Sequence, residues 1–286
     1  MTGGFGVRLL HAMEEHGPLC VGIDPHVSLL QAWNLDDTPR GLREFSLRVV
    51  DALSGRVAAL KPQSAFFERH GSAGIAVLEE VLGAARARGT ITILDVKRGD
   101  IGSTMAGYAD AYLRPGAPLE ADSITLSPYL GPGSLDPAVA LAVGHGKGVF
   151  ALTLTSNPEG TAVQHASTMA GPSVAGQIVE WAAEHNAAFD PVGPVGLVVG
   201  ATVGDAPRRL GIDLAAARGI LLAPGLGAQG AGPEDVRRVF GAAAPYVLGS
   251  VSRGILAAGP GNLGKSAANN ATWLRFATDG SESGPR

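Results

Sequence analysis

Eight short apolar runs, spaced along the whole chain, constrain its fold more than any other feature: Leu19–Ile23, Val57–Leu60, Ile91–Leu94, Ser123–Leu126, Val149–Leu154, Val195–Val199, Ile220–Ala223 and Tyr246–Leu248. Runs of this kind, apolar at consecutive rather than alternate positions, suit strands buried on both faces, as in a parallel sheet covered by helices. Between most of them lie segments whose apolar residues recur at helical spacing, such as Arg43–Leu53, Ile75–Arg86, Val174–Glu184 and Pro233–Phe240. Eight alternating strand and helix units predict an α/β fold, a (β/α)8 TIM barrel. A further helix is expected before the first strand, from about Val7 to Glu15, and a last one near Leu263–Phe276.

With 286 residues, 45% of them hydrophobic, the chain can bury a large core and fits either two small domains or one barrel. The regular recurrence favours a single barrel domain over residues 1–278. The Gly-, Ser- and Pro-rich tail 279–286 is expected to be disordered. An open doubly wound sheet is the competing topology. It fits less well because the first strand–helix turn, Asp24-Pro-His-Val-Ser28, carries no glycine-rich loop.

The net charge of −4 and the lack of a dense basic block argue against a nucleic-acid partner. One cysteine, Cys20, excludes an intramolecular disulfide and reads as a small buried strand residue. The opening Met1-Thr-Gly-Gly-Phe5 lacks the pattern of a signal peptide, and no run has the length of a membrane span. A cytoplasmic protein without membrane contact is expected. The seven histidines show no metal-ligand spacing, and no metal site is expected.

Each apolar run ends in a polar or turn residue: Asp24, Lys61, Asp95, Ser127, Thr155-Ser156, Thr202, Pro224-Gly225 and Ser252-Arg253. In a barrel these ends form a ring around one mouth, where chemistry collects. The densest is Asp95-Val-Lys-Arg-Gly-Asp-Ile-Gly-Ser-Thr104, which places charges directly after a strand. Alternation along a strand would turn Asp95 and Lys97 to the same side. Lys61 adds a second cation and Asp100 a second carboxylate. A solvated loop is the commoner fate of such a charge run, but the absence of a turn between strand and charges favours a site.

The sequence Gly225-Leu-Gly-Ala-Gln-Gly230 follows the seventh run, yet the eighth ends without the acidic residue that would hold a ribose in a dinucleotide fold. A phosphate loop fits better: backbone N–H groups, the N-terminus of a helix near Pro233 and Arg253 would converge on one dianion. A flexible surface turn beside an exposed arginine is the competing reading.

Taken together, Val21-Gly-Ile-Asp-Pro25, Leu60-Lys-Pro-Gln63, the 95–104 segment, Thr125-Leu-Ser-Pro-Tyr-Leu-Gly131, Thr155-Ser-Asn-Pro158, Ala223–Gly230 and Ser252-Arg253 resemble the orotidine 5′-phosphate decarboxylase family, specifically its longer bacterial branch. The Asp-x-Lys-x-x-Asp-Ile core is the specific part. The resemblance implies cofactor-independent decarboxylation of orotidine 5′-phosphate to UMP in pyrimidine biosynthesis. It implies that Lys61, Asp95 and Lys97 are active-site charges, with Lys97 the proton donor to C6. It further implies a homodimer in which Asp100, Ile101 and Thr104 are lent to the neighbouring subunit's site. Asp24 resembles a ribose-binding aspartate, Ser156 the serine that reads the pyrimidine edge, and Gln229 and Arg253 phosphate ligands. An insertion around Glu159–Pro172 lies beyond the shortest family pattern.

Two alternatives remain. Hexulose-phosphate synthases and keto-gulonate-phosphate decarboxylases share the Asp-x-Lys-x-x-Asp core but use Mg2+, which needs a carboxylate cluster; Lys61 at the second strand would repel it. A nucleotide-binding sensor on the same barrel would be expected to lose one of Lys61, Asp95, Lys97 or Asp100, and all four are present.

Overall fold

A computed structural model of the chain describes residues 4–226 and 230–278. Its strands are β1 (Leu19–Ile23), β2 (Ala59–Pro62), β3 (Ile93–Arg98), β4 (Ser123–Leu126), β5 (Gly148–Leu154), β6 (Val195–Val199), β7 (Leu221–Pro224) and β8 (Val247–Val251). They form one eight-stranded sheet in the order β2-β1-β8-β7-β6-β5-β4-β3, with parallel pairing throughout. Parallel bridges Leu60↔Thr92 and Gln63↔Asp95 join β2 to β3 and complete the (β/α)8 TIM barrel. The predicted tail 279–286 and Gln229 lie outside the described residues.

The helices agree with the apolar periodicity. Pro39–Leu53 begins at Thr38, whose hydroxyl accepts from Gly41 N, and Val174–Asn186 begins at Ser173, whose hydroxyl accepts from Gly176 N. Both are side-chain caps for orphan N–H groups of a first turn. Between β6 and β7 the connection holds only the short turns Ala206–Arg209 and Leu214–Ala217.

Strand alternation sorts the side chains into two sets. Outward residues such as Leu19, Val21, Ile23, Leu60, Leu94, Val149 and Leu197 pack under the helices. Inward residues Cys20, Ala59, Ile93, Phe150, Val198, Leu222 and Leu248 form a separate cluster inside the barrel. The helix Phe5–His16 closes the lower end by adding Phe5, Leu9 and Met13 to that cluster. Phe5 meets Phe150 edge to face at 6.0 Å, and a Cβ on Gly148 would overlap the Phe5 ring. Burial pushes the Cys20 thiol up to about 12, so it behaves as the small core residue expected.

Three strands run two or more residues further toward the mouth than their apolar runs predict. β2 includes Lys61, β3 includes Asp95 and Lys97, and β8 includes Ser250. These polar residues stand on strand backbone rather than on loops after it.

Candidate active site

Directly above the inward apolar cluster, the next inward positions line a cavity of about 340 Å3 at the C-terminal ends of the strands. Leu152, Val198 and Leu222 form an apolar floor. Lys61, Asp95, Lys97 and Thr125 form a polar wall, and Asp24, Ser156, Gly225 and Ser252 stand around the rim. Ser127, Thr202 and Arg253, also expected in the ring, do not line the cavity.

Asp95 is the centre of the wall. Its Oδ2 accepts from Lys61 Nζ at 2.8 Å and from Gln63 Nε2 at 3.0 Å, while Oδ1 accepts from Lys97 Nζ at 2.6 Å and from the Thr125 hydroxyl at 2.7 Å. Burial works against the charge on Asp95, but Lys61 and Lys97 outweigh it and hold the carboxyl well below the usual carboxylate range. Burial likewise opposes the charge on Lys61, and Asp95 with Asp24 outweighs it, holding the ammonium above the usual lysine range. The pair is therefore ionised, dry and rigid: the side chains of Lys61 and Asp95 are only 10% and 8% exposed. Lys97 differs, with 46% of its side chain exposed toward the cavity and solvent.

Asp95 and Lys97 do meet as strand alternation predicts, but β3 is not regular there. Its pairing with β4 shifts between Leu94↔Ile124 and Arg98↔Leu126, so Asp95, Val96 and Lys97 stand against Thr125 alone. Lys97 takes φ +45°, a left-handed conformation that lysine rarely adopts and that costs about 1–3 kcal/mol. Surrounding contacts must hold it. Lys97 N donates to Thr125 Oγ1 at 3.0 Å, and Arg98 Nη1 donates to the Val96 carbonyl at 3.2 Å.

Asp24 Oδ1 is buried with no hydrogen-bond partner among the described residues. An orphaned carboxylate oxygen is costly, and Asp24 itself is one of the residues that line the cavity. Gly22 permits this placement, since a Cβ there would crowd Ser252 and Asp24.

Beyond β5, Thr155 is clamped by one side chain: Gln164 Oε1 accepts from Thr155 N at 2.9 Å, and Gln164 Nε2 donates to Thr155 Oγ1 at 2.7 Å. The insertion around 159–172 thus reaches back to the rim segment after β5 that carries Ser156.

Asp100, Ile101 and Thr104 do not line their own chain's cavity. The Asp100 carboxylate accepts from Ile101 N at 2.8 Å, at the entry to the helix Gly102–Leu113. Ile101 is 62% exposed, and Tyr129 and Leu130, in the segment after β4, are exposed as well. Sequence reasoning missed Gln63 and Thr125 as parts of the wall; Gln63, two residues after Lys61 on the same inward side, could have been found by alternation.

The family model described as Orotidine 5′-phosphate decarboxylase / HUMPS family matches residues 17–265, which carries every element around this cavity. The chain belongs to that family. It is 57% identical over 256 residues to an orotidine 5′-phosphate decarboxylase of Salinispora arenicola, covering 90% of this chain and 91% of the relative. It is also 57% identical over 257 residues to that of Streptomyces coelicolor, with the same coverage. A crystal structure of a Streptomyces avermitilis protein, provisionally named orotidine 5′-phosphate decarboxylase, superimposes with a TM-score of 0.92 at 53% identity, covering 97% of this chain and 96% of that one. The family takes in two groups, the orotidine 5′-phosphate decarboxylases and the HUMPS enzymes.

Proposed function

We propose that this chain is an orotidine 5′-phosphate decarboxylase that releases CO2 from C6 of orotidine 5′-phosphate and yields UMP without a cofactor, as a step of pyrimidine biosynthesis. The observation that carries the reading is the Lys61–Asp95–Lys97 wall over an apolar floor.

Breaking the C6–carboxylate bond leaves its electron pair on C6, in the ring plane, where the π system cannot absorb it. Enzymes lower such barriers by up to about 23 kcal/mol. Fixed charge is what this cavity offers. Lys97, the more open of the two lysines, stabilises the developing charge at C6 and then gives its proton to that carbon, leaving a neutral amine that water reprotonates. Asp95, held ionised by Lys61, faces the substrate carboxylate and disfavours the ground state. Asp24 takes a ribose hydroxyl, and Ser156 meets the pyrimidine edge. Gly225 on the rim, Arg253, which directly follows the rim residue Ser252, and Gln229 are proposed to receive the phosphate, whose binding energy can order the site.

The site is proposed to be completed by a second copy of the chain. Asp100, Ile101 and Thr104 do not line their own cavity, and Ile101 is largely exposed, which supports a homodimer in which these three serve the partner's site.

The Mg2+-dependent HUMPS chemistry is the alternative within the family. Both oxygens of Asp95 are engaged by lysine ammonium groups, and among the described residues no cluster of three His, Cys, Asp or Glu side chains is placed to hold a metal ion. The test is turnover of orotidine 5′-phosphate by purified protein after dialysis against EDTA. UMP and CO2 in equal amounts support the reading. Activity lost to EDTA and restored by Mg2+ favours the alternative, and nucleotide binding with no turnover refutes catalysis.

A further inference from the structure

Resting on that reading, the geometry points to Thr125 as a positioning residue for the proton donor: its hydroxyl fixes both the backbone of Lys97 and the carboxylate that Lys97 faces.

A regular parallel ladder would turn Lys97 N toward β2, as it turns Asp95, whose carbonyl accepts from Ser64 N at 3.2 Å. The irregularity between Leu94 and Arg98 breaks that alternation, because three residues of β3 stand against Thr125 alone. The side chain of Thr125 supplies the acceptor instead. A threonine hydroxyl has one proton and two lone pairs, and both functions are used: Oγ1 accepts from Lys97 N at 3.0 Å and donates to Asp95 Oδ1 at 2.7 Å. Asp95 Oδ1 in turn accepts from Lys97 Nζ at 2.6 Å. The result is a closed ring from Lys97 N through Thr125 and Asp95 back to Lys97 Nζ. It ties the ammonium of Lys97 to its own main chain at a residue whose φ of +45° needs external support.

Thr125 is 1% exposed, so water cannot substitute freely for either bond. An apolar side chain of the same shape leaves Lys97 N without an acceptor, removes one donor from Asp95 and frees β3 to relax. Lys97 then leaves its place by a fraction of its own length. A displacement of about 1 Å at a reacting group costs about 100-fold in rate. Contacts to ribose and phosphate lie elsewhere on the rim and are untouched.

The experiment compares the wild type with Thr125→Val, Thr125→Ala and Thr125→Ser, measuring kcat and KM for orotidine 5′-phosphate, UMP affinity by calorimetry, and the thermal midpoint. Thr125→Val is expected to lose about 100-fold in kcat, with UMP affinity within about threefold of wild type. Thr125→Ser, which keeps the hydroxyl, should stay within about fivefold of wild-type kcat. Should the valine variant not fold, the alanine and serine variants carry the comparison, since they differ by one oxygen at the same truncated side chain. Wild-type kcat in Thr125→Val, equal losses in Ala and Ser, or a loss confined to KM and UMP affinity would each overturn the positioning role. A wild-type protein without turnover refutes the proposed decarboxylation instead.

Discussion

Replacing Asp95 with asparagine isolates the buried ammonium of Lys61, and the consequence should be visible in stability as well as in catalysis. Asp95 is the only hydrogen-bonded carboxylate of Lys61 among the described residues, and the Lys61 side chain is 10% exposed. Removing one partner of a buried pair costs about 3–5 kcal/mol, because the remaining charge stays desolvated. For a chain of this size that corresponds to a fall in Tm of about 10 °C.

The pH dependence carries the sharper signature. In the wild type the pKa of Lys61 is raised on folding, so its contribution is complete below the unfolded lysine value of about 10.4 and is lost only as pH rises through the folded value. Asp95 is shifted down, so its contribution is present above about pH 4 and is lost as pH falls through its folded value. The pair therefore adds no slope across the neutral range. In Asp95→Asn, burial dominates and the folded pKa of Lys61 drops below its unfolded value. The unfolded state then binds more protons, and stability rises with pH up to about 10.4. Thermal unfolding followed by circular dichroism between about pH 6 and pH 9.5 reads both effects. Wild-type Tm at neutral pH, with no upward slope relative to wild type, would refute the view of Lys61 and Asp95 as a dry, mutually dependent pair. The double variant Asp95→Asn/Lys61→Met should recover part of the loss, since the buried ammonium left without its carboxylate is gone.

Lys97→Ala and Asp100→Ala proteins, each nearly inactive alone, should regain about a quarter of wild-type activity after random subunit exchange, because half the dimers are mixed and each has one intact site. No recovery despite confirmed exchange places Asp100 in its own chain's site. Arg253→Ala should raise KM by at least about tenfold through loss of a phosphate contact, with a smaller fall in kcat; an unchanged KM removes Arg253 from the phosphate site.

The barrel was legible because strands buried on both faces are apolar at every position, so β1, β4 and β6 coincide with their runs. The same signal ended too early at β2, β3 and β8. There the inward residues nearest the mouth, Lys61, Asp95, Lys97 and Ser250, are polar because they face a cavity, and apolar periodicity cannot register them as strand. The charge wall itself was legible from charges set directly on a strand. The distortion that presents Lys97 was not, since lysine gives no signal for a positive φ. Thr125 gives no signal of its own in the sequence, because threonine is an ordinary strand residue and its role depends on a register shift in a neighbouring strand. The Gln164–Thr155 clamp joins two points across an insertion whose contacts no local pattern specifies.

The proposed chemistry is tested most directly by Lys97→Ala, assayed for orotidine 5′-phosphate turnover and for UMP affinity on the same preparation. The account predicts a fall in kcat of at least about 1,000-fold, since proton transfer and charge stabilisation are both removed, with UMP bound within about tenfold of wild type. Near wild-type turnover by Lys97→Ala would contradict it and assign the proton to another group.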